Sequence, residues 1–148
     1  MRGKRVFLDS SVVIAALLSG RGGSFYIMSV LRGEFRFQIN EQVLREVVGV
    51  LDRKFSSEGN LKKKLFLLIG IASIEILPIP SRDQVKRLEK LLERGDAAIF
   101  ASALQCSDYF LTLDDDFLNE SVIDFAKKKG LAIVKPGDFI SLHRESLL

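Results

Sequence analysis

The chain has 148 residues, 47% of them hydrophobic and 28% charged, which excludes a disordered polymer and predicts one domain over residues 1–148 with a core of its own. No apolar run reaches the roughly 18 residues of a bilayer span, and MRGKR passes straight into a strand-like segment containing Asp9, so a soluble, cytoplasmic protein with no membrane attachment is expected. One cysteine and one histidine exclude an internal disulfide and a Cys/His zinc site, so any metal must be held by oxygen, while a net charge of +3 permits a polyanionic partner without establishing one.

The first predicted strand, KRVFL at 4–8, stops at Asp9. Ser10 or Ser11 is suited to cap a helix through Leu18, which GRGG at 20–23 ends, and Ser24 to cap a second helix running to Leu31. Phe35, Phe37 and Ile39 alternate with Arg36 and Gln38, the period of a strand with one face more exposed than the other. Asn40 closes that strand and caps a helix whose Val43, Leu44, Val47, Val50 and Leu51 form an apolar stripe with Glu46 beside it.

A further helix is predicted over 61–71. Residues 74–79, with Pro78 inside, read as a short strand toward a sheet edge, since proline removes a ladder donor. Ser81 starts a helix carrying Val85, Leu88, Leu91 and Leu92. After Gly95, Asp96 stands at the first turn of AAIFASAL, apolar nearly all round and therefore a buried helix. A strand over 109–112 precedes three consecutive carboxylates, Asp114, Asp115 and Asp116. A helix over 120–129 then leads through Gly130 into a last strand, LAIV, and Pro136 starts a terminal helix.

Strands alternating with helices predict an α/β fold, a three-layer α/β/α sandwich with a mainly parallel central sheet. In such sheets ligands bind outside the carboxyl ends of the strands. Asp9 and Asp114 follow strands, Asp96 opens a buried helix, and Glu46 lies one turn into the helix after the second strand, so all four are placed to project over one edge of the sheet. Singly, each has an ordinary structural use: Asp9 and Asp96 as helix N-caps, Glu46 as a partly exposed helix residue, the triplet as a turn. Together without a counter-ion they repel. A hard divalent cation such as Mg²⁺ or Mn²⁺ removes that conflict, because it prefers carboxylate oxygen and water.

VFLDSS with Asp9, NEQVLREVVGVL with Glu46, GDAAIFASAL with Asp96 and LTLDDDF with Asp114 and Asp116 closely resemble the PIN-domain nucleases in order and spacing, through to the closing KPGDFISL. Within that family the chain most resembles the stand-alone prokaryotic, VapC-like branch, the toxin components of toxin–antitoxin pairs. The family usually has Thr and Asn after the first aspartate, where this chain has Ser10 and Ser11. The resemblance implies a metal-dependent endoribonuclease with one or two Mg²⁺ or Mn²⁺ ions. It implies Asp9, Asp96 and Asp114 as principal ligands with Asp116 contributing, and Glu46 holding or orienting the attacking water. Ser10, Ser11 and Thr112 would order the carboxylates, and hydrolysis would leave a 3′-hydroxyl and a 5′-phosphate. A small protein antitoxin and a homodimer are implied in the same way. Asp115 falls on a variable position and has no implied role.

The remaining polar features have plain readings. Cys106 is expected as a small core residue, His143 as a surface residue, the GRGGS loop as a turn, and the lysines at 62–64 and 127–129 as solvated helix faces. Two alternatives stand beside the nuclease. One is a phosphoacceptor receiver domain, which normally needs paired acids after the first strand where Asp9 stands alone, although Lys135 does follow the last strand. The other is a PIN-like module that binds RNA or protein without cutting.

Overall fold

Val6, Phe7 and Leu8 are apolar on both faces of a strand, a pattern only a strand covered on both sides can use. In the computed structural model, which describes residues 3–143, all three are fully buried within β1 (Lys4–Leu8). Along the chain follow α1 (Ser10–Leu18), α2 (Gly23–Val30), a 3₁₀ turn (Leu31–Gly33), β2 (Phe35–Asn40), α3 (Glu41–Lys54), α4 (Asn60–Ile71) and β3 (Glu75–Leu77). Then come α5 (Arg82–Leu88), α6 (Arg94–Cys106), β4 (Tyr109–Leu111), α7 (Glu120–Lys128), β5 (Ala132–Val134) and α8 (Pro136–Leu142).

The five strands are all parallel in the order β3-β2-β1-β4-β5, with helices flanking the sheet. This is the α/β architecture expected from the alternation of elements. From β1 the chain winds outward through β2 to β3, then crosses back to β4 and β5. The strand order therefore reverses between β1 and β4, and a parallel sheet opens a crevice at such a point. Leu8 pairs in register with Leu111, which sets Asp9 and Thr112 side by side just beyond the strand ends. β3 is the short edge strand expected, but it covers only Glu75–Leu77 and stops before Pro78, which therefore ends the strand rather than lying inside it.

Several local assignments differ from expectation. Of the residues suited to cap α1, Asp9 takes the position and Ser10 and Ser11 do not; Gly22, not Ser24, stands at the N-cap of α2, and Glu93, not Asp96, at that of α6. α5 ends at Leu88 rather than running through Leu92; the chain turns there, and Leu92 still reaches the core. Gln38 is buried, although the strand period placed it on the exposed face. Its amide donates to Glu75 on β3, and its carbonyl accepts from the Ser107 hydroxyl. Two partners distant in sequence thus cover a position that alternation assigns to water. Gly130, at φ +88°, ends α7: its N–H and that of Leu131 return to Lys127 and Ala126, a turn only a residue tolerant of left-handed backbone takes readily.

His143, expected on the surface, packs its ring against Phe35, Tyr109 and Phe139, with centroids 4.8, 5.6 and 4.5 Å away. Phe35 and Tyr109 begin β2 and β4, so this cluster lies at the amino end of the sheet. Burial lowers the histidine's pKa there. No single helix among the described residues is long and apolar enough to cross a membrane.

One residue fixes the relation of the two helices that matter below. Asn40 is fully buried and caps α3 by accepting from the Val43 N–H at 3.0 Å. Its amide also donates to the Ala98 carbonyl (3.0 Å) and to Ser102 Oγ (2.8 Å), both on α6. Asn40→Ala should lower stability by about 2–3 kcal/mol, from the lost cap and the buried acceptors left unpaired on α6. Denaturant unfolding reads this directly; a loss under about 0.5 kcal/mol would mean that the α3–α6 tie is not made.

Candidate active site

Asp9 lies at the reversal point and is 2% exposed. Its Oδ1 accepts the Ser10 N–H at 2.9 Å, and its Oδ2 accepts from Ser11 Oγ (2.8 Å) and Thr112 Oγ1 (2.7 Å). Each hydroxyl also accepts: Ser11 Oγ from the Leu113 N–H and Thr112 Oγ1 from the Asp114 N–H, both at 3.0 Å. With the Asp9 N–H donating to the Leu111 carbonyl, the end of β1 and the acidic loop after β4 become one hydrogen-bonded unit. Burial pushes the Asp9 pKa up to about 6. The three hydrogen bonds pull it down and the charge of Asp114 adds to the rise.

The acidic triplet is held from beneath. Phe117 is fully buried with its ring 4.8 Å from Phe110 and 5.9 Å from Phe100, so the loop cannot drift from β4 and α6. The Asp116 N–H donates to Asp114 Oδ1 at 2.9 Å. Asp96, in the first turn of α6, completes the group: oxygen atoms of Asp96, Asp114 and Asp116 all lie within 4.8 Å of one another. Burial is the largest influence on Asp96, followed by the charges of Asp114, Asp9, Glu46 and Asp116, and together they raise its pKa to about 7. Five carboxylates thus act on one another here. Asp115 is exposed and stands outside the group.

Glu46 faces this group from α3. Its Oε1 accepts from Ser10 Oγ and its Oε2 from Gln42 Nε2, each at 3.0 Å, which fixes the carboxylate plane. A Cβ on Gly95 would sit 3.4 Å from Glu46 Oε2, so the glycine before Asp96 leaves Glu46 the space to approach α6. Among the described residues the one ion pair is Lys62 with Asp52 on the surface, and no lysine or arginine pairs with the cluster.

An oxygen-only donor set, with three carboxylates converging and no cationic side chain paired to them among the described residues, fits a hard divalent cation. Asp96, Asp114 and Asp116 could hold it. Asp9 lies behind them with three hydrogen bonds already accepted, its Oδ1 taking only one. Sequence reasoning named every carboxylate of the group but missed the groups that hold it: Gln42, Gly95, Phe117, and Asn40 in its second role. Cys106, at the far end of α6, is a free, partly buried thiol whose pKa burial raises, consistent with an inert residue.

The PIN domain family matches residues 6–120. The chain belongs to the PIN domain family. In fold it is similar to a chain of VapBC2 from Rickettsia felis, solved bound to a DNA fragment from their promoter, at 16% identity and TM-score 0.64 over 88% of this chain and 98% of that one. It is likewise similar to PAE2754 from Pyrobaculum aerophilum, at 18% identity and TM-score 0.65 over 95% and 96% of the two chains. No curated protein sequence matches it.

The burial of Asp96 among other carboxylates in this PIN-domain site gives a pH signature. A carboxyl whose folded pKa lies above its unfolded value binds more protons when folded, so its contribution to stability is full below pH 4 and lost as pH rises through the folded value. For Asp96 that window runs from about pH 4 to about 7. In chelator, Asp96→Asn should therefore gain stability over wild type between pH 5 and pH 8, read by thermal or denaturant melts at each pH. A difference independent of pH would show that the Asp96 pKa is not raised in the fold.

Proposed function

We propose that the chain is a divalent-metal-dependent endoribonuclease and that the whole of 1–148 forms one such unit. The observation that carries this reading is the convergence of Asp96, Asp114 and Asp116 oxygens within 4.8 Å, against Asp9 and Glu46, with no cationic side chain among the described residues paired to them. PIN-family membership supports the same reading and sets aside the receiver-domain alternative.

Asp96, Asp114 and Asp116 would hold one or two Mg²⁺ or Mn²⁺ ions, with Asp9 a ligand directly or through water. A bound ion supplies Lewis acidity, making water more acidic and compensating charge on the leaving oxygen. Glu46, its carboxylate plane fixed by Ser10 and Gln42, orients the attacking water and accepts its proton. Water adds to phosphorus in line, the bond to the 3′-oxygen breaks, and the products are a 3′-hydroxyl and a 5′-phosphate. Ser11 and Thr112 keep Asp9 and the Asp114 backbone in register during this step. No side chain need serve as a nucleophile, in keeping with an inert Cys106 and a His143 packed among rings at the other end of the sheet.

We also propose that the protein is the toxin of a toxin–antitoxin pair, acting in the cytoplasm as a homodimer and restrained by a small antitoxin. The fold likeness to a chain of VapBC2 supports this.

With Mn²⁺ and a mixed panel of structured and single-stranded RNAs, wild type should cleave. Asp9→Asn and Asp96→Asn should each lose about 100-fold or more, and Thr112→Val about 10–100-fold. Wild type and the two Asn variants leaving RNA equally intact would end the catalytic reading.

An ion that binds only the folded state adds RT ln(1 + [L]/Kd), about 2.7 kcal/mol at 100 times Kd. That corresponds to a rise of roughly 5–10 °C in Tm for a chain of this size. Asp96→Asn should show less than half of the wild-type rise with Mn²⁺. Equal rises would place the ion elsewhere.

A further inference from the structure

A groove of ≈770 Å³ runs beside the acidic cluster between α3, the loop after β3, α5 and α6. Arg45 of α3, Arg82 and Lys86 of α5, and Arg94 of α6 line it, all exposed. A shallower extension between Ser10, Glu46 and Arg53 shares Gln42 and Arg45 with it. There Gly49 makes room for the Arg53 guanidinium, whose Nη1 lies 3.0 Å from where a Cβ would stand. Asp83 and Glu89 also line the groove, yet none of the five cations makes an ion pair among the described residues. Their side chains are not spent on the fold.

The groove and the cluster share walls. Gln42, on the groove side of α3, donates to Glu46, and Gly95 of the lining precedes Asp96. Because α3 and α5 follow β2 and β3, Arg45, Arg53, Arg82 and Lys86 stand on the β2–β3 side of the reversal point, with Arg94 at the start of α6 closing the groove, whereas Asp114 and Asp116 follow β4 on the other side. A polyanion reaching the site meets five carboxylates, and an ion held there would compensate chiefly the phosphate being cut. Flanking phosphates need fixed cations, and these five are placed to give them. Ile79, Pro80 and Val85 add an apolar strip to the same groove. Unstacked bases can rest on such a strip, whereas a duplex hides its base faces.

We propose that this groove holds a single RNA strand on one side of the scissile bond, with Arg45, Arg53, Arg82, Lys86 and Arg94 as positioning residues for its phosphates. The inference deepens the ribonuclease reading and rests on it for the term scissile. Substrate is therefore anchored asymmetrically, toward the β3 edge.

The test measures binding of a short fluorescent single-stranded RNA to the full chain carrying Asp96→Asn, so that cleavage does not intervene. Arg45→Gln, Arg82→Gln and Arg94→Gln together should weaken binding by roughly 10-fold or more. The slope of log affinity against log salt should fall by about 2, at roughly 0.7 for each phosphate that no longer has a cation. The control removes equal charge at Lys127, Lys128 and Lys129, beside the opposite edge strand β5, and should change affinity less than about 2-fold. Equal losses in the two triple variants would reduce the effect to net charge and overturn the proposal, as would duplex RNA of the same sequence binding as well as the single strand. Displacement of the RNA by poly-glutamate at matched charge would assign the groove to an acidic polypeptide instead. Without Asp96→Asn, the groove substitutions should raise KM and leave kcat within about 2-fold. Cleavage by wild type with unaltered binding in the groove variants would sink this inference alone. Loss of binding in those variants beside a wild type that never cuts would sink the nuclease reading and leave an RNA-binding groove.

Discussion

Asp9 accepts hydrogen bonds from the Ser11 and Thr112 hydroxyls, and each hydroxyl accepts in turn a backbone N–H of the loop that carries Asp114 and Asp116. A hydroxyl is suited to this because it donates and accepts at once. Two short side chains thereby convert the position of one buried carboxylate into the position of a whole loop. The geometry on the other side follows a similar logic: Asn40 caps α3 and grips α6, so Glu46 and Asp96 are held by one buried amide. Remove either lock and the carboxylates lose their reason to stay together.

The same arrangement works against the stability of the fold. Burial, with the charges of neighbouring carboxylates added to it, raises the pKa of both Asp9 and Asp96. The core offsets the cost through an apolar centre of phenylalanines, with Phe7, Phe100, Phe110 and Phe117 all fully buried. The placement of Phe117 directly after the triplet is informative: the residue that anchors the loop in the core adjoins the residues that strain it. Local repulsion and local anchoring are neighbours in the chain.

The elements that were legible in the sequence are those whose signal is local. The alternation of strands and helices, the Asn40 cap, the short edge strand before Pro78 and the acids after β1 and β4 are of this kind. What was not legible depended on partners far along the chain. Asp9, Ser10 and Ser11 are all competent N-caps, and only Thr112, 103 positions away, explains why Asp9 occupies the cap with its side chain turned to the loop. Gln38 looked exposed because Glu75 and Ser107, which cover it, are distant. His143 looked like a terminal surface residue because nothing nearby in sequence announces the rings of Phe35 and Tyr109. The cationic groove was invisible for the same reason, since Arg45, Arg53, Arg82, Lys86 and Arg94 come from three separate helices.

The pairing of β1 with β4 has a consequence for biosynthesis. Of the five carboxylates only Asp9 follows the first strand; Glu46 comes on α3, Asp96 on α6, and Asp114 and Asp116 follow the fourth strand. A chain still emerging from the ribosome therefore owns Asp9 and Glu46 long before it owns Thr112 or Asp114, so the cluster is assembled late in synthesis. The carboxylates made last are thus the ones that complete the cluster, and no shorter stretch of the chain carries it.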